Sequence, residues 1–163
     1  MSRPPKPDFK TGILPTSTVS ALADLADYAA DPPAVLARRI AAQSITSGLA
    51  TAVVFDAEMF DNADMFAPSS DTITIPDTGF YTVYGWVDLQ AGTTGIRQLE
   101  IFQNGAAVWS DARPAPPSLT NRMTISGPVV AAAGDTLQLW VYQSQGSSLN
   151  VTAAKFAAVR TSG

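Results

Sequence analysis

From residue 49 onward, apolar and polar residues alternate in short runs that are separated by Gly, Pro, Asn and Asp. A period of two is typical of β-strands, because successive side chains point to opposite faces of a sheet. Asn104-Gly105 predicts a two-residue hairpin, since both central positions of a type I′ turn need a positive φ. The whole pattern predicts an all-β sandwich. The strands are expected near residues 49–55, 72–75, 80–89, 96–103, 106–110, 122–130, 136–143 and 149–160.

Residues 17–43 have helical spacing instead, which predicts two short helices. The first has one apolar stripe, formed by Val19, Leu22, Leu25, Ala26 and Ala29. Ser17 or Thr18 can cap its start, and Asp31-Pro32-Pro33 ends it. A second helix is expected to begin at Pro32 and to run through Val35, Leu36 and Ile40. A helix of about 12 residues is marginal in water, so both helices need a neighbour.

The N-terminal segment, residues 1–16, combines four prolines with two lysines and one arginine. Proline prevents a continuous helix, so the segment is expected to be extended and to act as a docking arm. The arm residues are Pro4, Pro5, Lys6, Pro7, Phe9 and Lys10. The alternative is an unstructured tail. The predicted organisation is thus an arm (1–16), a short helical segment or linker (17–48) and a β-sandwich (49–163). No apolar run follows the first charges, so no signal peptide is expected.

Composition narrows the range of functions. Apolar residues make up 46% of the chain and charged residues only 15%, which favours an oligomer with shared buried surfaces. A net charge of −4 argues against nucleic acid, whose binding needs an excess of Lys and Arg. The chain has no histidine and no cysteine, which removes the usual general base, thiolate nucleophile and zinc ligands. We therefore expect a protein that is not an enzyme and needs no cofactor, with no segment inserted in a membrane.

Four motifs follow one another in a characteristic order: Ala52–Asp56 with Phe60-Asp61-Asn62, Ile73–Val83, Ile101–Gly105 and Val129–Leu139. In this order they resemble the complement-one-q/tumour-necrosis-factor jelly roll, particularly the versions found in bacteriophage structural proteins. The second motif is similar to the family's proline, glycine and tyrosine signature, and the fourth to its glycine-aspartate turn. The run Ala131–Ala133 departs from the family's hydrophobic pair. The resemblance covers about residues 49–160 and implies a homotrimer that packs one sheet around a threefold axis.

The strand at residues 80–89 supports a shared surface, because both of its faces are apolar. A sheet with one solvated face shows polar residues on that face. We therefore expect Phe80, Tyr84 and Trp86, together with Phe156, to form the trimer interface. The alternative is that Tyr84 and Trp86 lie under the N-terminal helices. The core of the sandwich is predicted to contain Tyr81, Val83, Val87, Leu99, Ile101, Val129, Leu137, Leu139 and Val141.

Two further groups of residues are candidate sites. Asp56, Glu58, Asp61 and Asp64 are weak calcium candidates, but their spacing matches no calcium loop, and a solvated loop is the favoured interpretation. Trp109, Trp140 and Tyr142 are candidates for stacking on sugar rings or on a protein partner. The alternative for them is scattered surface aromatics.

These observations predict a virion structural protein: a trimeric knob, anchored to other phage structural proteins through residues 1–43. A minor tail, tail-tip or fibre component in possible contact with the host surface is the favoured hypothesis. Its alternatives are a head fibre or capsid decoration protein, and a module that binds a host glycan or receptor. A calcium-stiffened spacer is a third possibility.

Overall fold

The computed structural model describes residues 16–116 and 121–162, which form one helix and eleven strands. The chain divides into two compact units, Met1–Pro32 and Pro33–Gly163. The elements are α1 (Thr16–Ala30), β1 (Ala34–Arg39), β2 (Gln43–Ile45), β3 (Thr51–Ala52), β4 (Ala57–Asp61), β5 (Thr72–Thr74), β6 (Gly79–Leu89), β7 (Ile96–Gln103), β8 (Ala106–Pro114), β9 (Asn121–Ala131), β10 (Thr136–Gln143) and β11 (Leu149–Ser162).

The first unit contains the helix α1, which confirms the first of the two predicted helices. Val19 and Leu22, two residues of the predicted apolar stripe, are exposed on it. The predicted arm, residues 1–16, lies outside the described residues except for Thr16, at which α1 begins.

The second unit is a sandwich of two antiparallel sheets. Sheet A has the strand order β4-β1-β11-β6-β9, with β2 beside β11. Sheet B has the order β3-β10-β7-β8, with β5 beside β10. Most neighbours in the sheets are distant in the chain. Such crossing connections are typical of a jelly roll, and they distribute early and late strands over both sheets on the two sides of one core.

The second predicted helix is wrong. Residues 34–39 form β1, which pairs with β11 on one side and with β4 on the other. Val35 and Ala37 point into the core, and Leu36 between them points outward. Pairing on both edges outweighs a weak helical preference in so short a segment. The sandwich therefore begins at about residue 33, before the predicted boundary at residue 49.

The core lies between the two sheets and is apolar. All nine residues named for it, from Tyr81 to Val141, are buried. A stack of aromatic rings fills its centre, with Phe55 5.9 Å from Phe156 between ring centroids. The sheets approach so closely at Gly85 that an added Cβ would lie 2.5 Å from Leu139 Cδ1. A side chain at position 85 would therefore displace the Leu139 side chain from its position in the core.

The predicted hairpin is confirmed at the end of β7, where Asn104 and Gly105 have φ values of 50° and 79°. Asp135, in the turn between β9 and β10, accepts hydrogen bonds from the side chains of Gln103 (2.9 Å) and Asn104 (2.8 Å). It also accepts one from the backbone N–H of Ala132, at 2.9 Å. The bond from Asn104, with the other two, holds the pKa of the Asp135 carboxyl below its ordinary value. This carboxylate joins two turns at one end of the sandwich.

Candidate functional site

The outer face of sheet A is the first candidate site, and β6 crosses it between β11 and β9. Phe80, Tyr84 and Trp86 point outward from β6, because they alternate with buried residues along the strand. The exposed fraction is 50% for Phe80 and 41% for Tyr84, while Trp86 is half-buried. Two aromatic side chains are thus open on the surface of the protomer.

Neighbouring strands extend this surface across the whole sheet. Val130 on β9 lies opposite Phe80 and is 65% exposed. Ala157 on β11 lies opposite Tyr84, Leu36 on β1 lies opposite Ala157, and Phe60 on β4 lies opposite Leu36. We call this surface the sheet A face and define it by Leu36, Phe60, Phe80, Tyr84, Val130 and Val159. Exposed apolar side chains therefore alternate on this face with a few small polar ones, such as Thr82 and Ser126, and make it more apolar than a sheet face that meets only water.

Trp86 marks the charged end of the same face. The guanidinium carbon of Arg122 lies 4.6 Å from the centroid of the Trp86 ring, within the range of a cation–π contact. Arg122 also donates two hydrogen bonds to Asp88, at 2.8 and 2.6 Å. The hydrogen-bonded carboxylate raises the pKa of Arg122 above its ordinary value. Lys155 on β11 lies opposite Trp86 and adds a further cation. The face thus changes from apolar to basic along its length.

The assignment of Phe156 to a subunit contact is corrected. Its side chain is 0% exposed and stacks on Phe55 inside the sandwich. The register of β11 against β6 shifts between Val151 and Ala153. This bulge changes which residues point inward, so that Ala154, Phe156 and Ala158 face the core after Leu149 and Val151. Phe156 therefore cannot touch another subunit.

The three aromatic residues named as a ligand surface do not form one patch. Trp140 and Tyr142 are half-buried on the outer face of sheet B. Trp109, on β8, lies over Gly127 of sheet A instead, and its ring N–H donates to the carbonyl of Pro128 at 3.1 Å. Sequence reasoning missed Phe102, which stacks on Trp140 with centroids 4.9 Å apart. The alternation of β7 places Phe102 on the opposite face from Leu99 and Ile101, and this signal could have identified it.

The acidic segment is not the solvated loop that the sequence favoured, because residues 57–61 form β4. Asp56 accepts hydrogen bonds from the backbone N–H groups of Ile40 (3.0 Å) and Ala41 (2.8 Å). Burial opposes its charged form, but these donors and nearby Arg39 hold the pKa of Asp56 below its ordinary value. Asp61 accepts from the backbone N–H of Phe66 at 2.8 Å. The two carboxylates thus brace the backbone around β4.

Glu58 and Asp64, the other two calcium candidates, are exposed. Within residues 16–116 and 121–162, no three acidic, His or Cys side chains come together in a way that could hold a metal ion. The docking-arm residues, Pro4 to Lys10, lie outside that part of the chain. No helix among the described residues is long and apolar enough to cross a bilayer.

Comparison with known proteins identifies the fold. No protein-family model and no curated protein matches the sequence. The structure is similar to the globular domain of zebrafish complement 1qA protein, with a TM-score of 0.59 and 14% identity, covering 77% of this chain and 94% of that one. Murine APRIL crystallised at pH 5.0 gives a TM-score of 0.62 and 15% identity, covering 79% of this chain and 98% of that one. These structural similarities define the fold as a complement-one-q/tumour-necrosis-factor-like jelly roll, as the sequence motifs predicted.

Proposed function

We propose that this protein is a non-enzymatic structural component of a bacteriophage particle, and that three copies of its jelly roll form a knob. The observation that carries the proposal is the sheet A face, whose exposed aromatic and aliphatic side chains need cover. A homotrimer supplies that cover from copies of the same chain. The low fraction of charged residues, 15%, supports shared buried surfaces in the same way.

A closed ring of three subunits needs two different contact surfaces, because each subunit presents one surface to the next copy and another to the previous one. The edge of sheet B offers the second surface. Strand β8 ends that sheet, and Val108 and Trp109 are 40% and 39% exposed on it. We propose that this edge packs against the sheet A face of the neighbouring subunit.

The position in the particle is proposed from the resemblance of the motifs to phage structural proteins. We place the protein in the tail, as a minor tail, tail-tip or fibre component, because a compact knob with exposed aromatic rings suits contact with a cell surface. A head fibre or a capsid decoration protein is the alternative. In both cases the N-terminal segment anchors the knob in another structural protein. We propose residues 1–32 as the anchor in place of residues 1–43, because the residues from Pro33 onward belong to the sandwich unit.

Deletion of residues 1–32 tests the anchoring role. The shortened protein keeps every strand, so it is expected to retain the sandwich and the trimer but to lose attachment to particles. Co-sedimentation with particles that lack the protein, scored against the full chain, measures this. A deletion of residues 1–48 shows whether the boundary at residue 33 is placed correctly. It also removes β1 and β2 and is expected to unfold the sandwich. Full attachment of the protein without residues 1–32 contradicts the anchoring role.

A glycan-binding module is the second candidate function, and the outer face of sheet B favours it. Trp140 and Phe102 form a stacked pair there, and the ring N–H of Trp140 donates to Gln138 Oε1 at 3.3 Å. Glu100 lies opposite Trp140, and Gln98 lies opposite Tyr142. Aromatic rings bordered by planar amide and carboxylate groups provide both the apolar and the polar contacts of a sugar ring.

Replacement of Trp140 with alanine tests this candidate. Binding to a glycan array is expected for the unmodified protein and is expected to fall to background for Trp140→Ala, since the larger ring of the platform is lost. Ile40→Ala, at an exposed isoleucine between β1 and β2 of sheet A, is the matched control and should bind normally. Absence of any glycan signal, or a signal that Trp140→Ala leaves intact, contradicts the glycan function and leaves the trimeric knob unaffected.

A further inference from the structure

Two arginines face each other across the paired strands β7 and β8 of sheet B. Arg97 on β7 lies directly opposite Arg113 on β8. Arg97 points to the same, inward face of β7 as the core residues Leu99 and Ile101. The side chain of Arg97 is 0% exposed, and Arg113 is half-buried. Like charges directly opposite each other destabilise an antiparallel pair. The position therefore needs a compensating negative charge.

The partners of Arg97 do not supply that charge. Its guanidinium donates to the carbonyls of Thr94 (3.0 Å), Ile96 (3.1 Å) and Gly92 (3.2 Å) and to Gln145 Oε1 (2.8 Å). All four acceptors are neutral. Burial lowers the pKa of Arg97. The hydrogen bonds of this buried cation thus end on neutral acceptors, and the nearest carboxylate on the same face of the β7–β8 pair is Asp111, opposite Leu99.

Three buried side-chain nitrogens at this end of the sandwich make no hydrogen bond among the described residues: Arg97 Nε, Arg113 Nε and Asn121 Nδ2. Arg39 Nε, elsewhere in the sandwich, is in the same situation, so the asparagine amide carries more weight than the arginine Nε atoms. Asn121 is 7% exposed and points inward from the first position of β9. An Nη of Arg113 donates to the carbonyl of Arg122, the next residue after Asn121. Arg113 therefore links the inward side of sheet B to the start of β9 in sheet A.

We propose that this end of the sandwich, lined by Arg97, Arg113 and Asn121, binds an oxyanion of the phosphate, sulfate or carboxylate type. Unsatisfied buried donors are rare in native proteins and destabilise them, so three in one region point to a missing acceptor. Guanidinium groups match the geometry of oxyanions, and an asparagine amide adds a neutral donor. The site lies between the sheets, apart from the sheet A face, and does not depend on the proposed trimer.

Thermal melting of the full chain tests the site, with sodium phosphate, sodium sulfate and sodium acetate compared against sodium chloride at equal ionic strength. Binding to the folded state alone raises the melting temperature by roughly 5–10 °C at an anion concentration of about a hundred times Kd. Sulfate and phosphate also stabilise folded proteins in general, so only a response that the site variants lose counts as binding. Such a response to phosphate and sulfate identifies a tetrahedral anion, and such a response to acetate alone identifies a carboxylate. Equal melting in all four salts overturns the proposal.

Two variants separate a bound anion from a purely structural role of these side chains. Asn121→Leu removes one unsatisfied donor without changing charge, so it is expected to melt in chloride at least as high as the unmodified protein and to lose the anion response. Arg113→Gln is expected to lose the response as well. Arg38→Gln, which neutralises an exposed arginine on β1, is the matched control and should keep it. An anion response that persists in both site variants contradicts the assignment.

Discussion

Replacing Tyr84 with aspartate is expected to reduce the mass of the protein in solution from that of a trimer to that of a single chain, 17.1 kDa. Tyr84 lies at the middle of the sheet A face, between Ala157 on one side and Ser126 on the other. In a trimer this substitution buries three carboxylates with no partner, and an isolated buried charge costs several kcal/mol. Light scattering coupled to size exclusion measures the mass directly.

The control for this variant places the same charge at another exposed apolar residue. Leu49, between β2 and β3, is 58% exposed and lies outside the sheet A face. Leu49→Asp should therefore keep the mass of three chains. A Tyr84→Asp protein that keeps the same mass as the unmodified protein would show that copies of the chain meet through a different surface.

Replacing Phe156 with alanine is expected to lower the free energy of unfolding by about 3–5 kcal/mol, the usual cost of deleting a buried aromatic ring. The ring stacks on Phe55, whose other contact is an edge-to-face one with Phe66 at 6.4 Å between centroids. Its removal leaves a cavity at the centre of this aromatic cluster. Chemical denaturation, with the slope against denaturant compared between the two proteins, measures the loss.

Leu49→Ala is the matched control for the core prediction, since truncation of an exposed side chain usually changes stability by less than about 0.5 kcal/mol. The Phe156→Ala protein also discriminates between the two positions considered for this residue. If Phe156 lay in a subunit contact, the variant would have a lower oligomer mass and an unchanged protomer stability. If Phe156 lies in the core, the free energy of unfolding falls. A free energy of unfolding close to that of the unmodified protein would contradict the core position.

The strands from β5 to β10 could be predicted because local signals mark both their pattern and their ends. Residues 80–89 alternate without interruption, and the structure pairs this segment on both sides for its full length. Asn104-Gly105 fixes the β7–β8 hairpin because few other residue pairs adopt a positive φ twice. Where the chemistry of a turn and the period of the flanking runs agree, sequence alone places the element.

The early strands could not be predicted, because their signals are not local. β1 reads as a short helix after Pro32, yet it becomes a strand through pairing with β11, which lies more than a hundred residues later in the chain. β4 carries Glu58 and Asp61 and reads as an acidic loop, although it pairs with β1 at the edge of sheet A. Long-range pairing outweighs local propensity in both segments.

The direction in which the candidate side chains point was predicted correctly where strands are regular and wrongly where they contain a bulge. Uninterrupted alternation along β6 identified the outward side chains of Phe80, Tyr84 and Trp86. A bulge in β11 reversed the side on which Phe156 lies, and an irregularity in the β7–β8 pair accompanies the inward turn of Trp109. A single extra residue moves every later side chain to the opposite face, and one sequence does not reveal where it occurs.

The trimer is the central claim, and the mass of the unmodified full-length chain in solution tests it most directly. Light scattering at micromolar concentration is expected to give three times 17.1 kDa, with no dependence on dilution over a tenfold range. A well-folded species of 17.1 kDa, with Phe80, Tyr84 and Val130 facing water, would contradict the account.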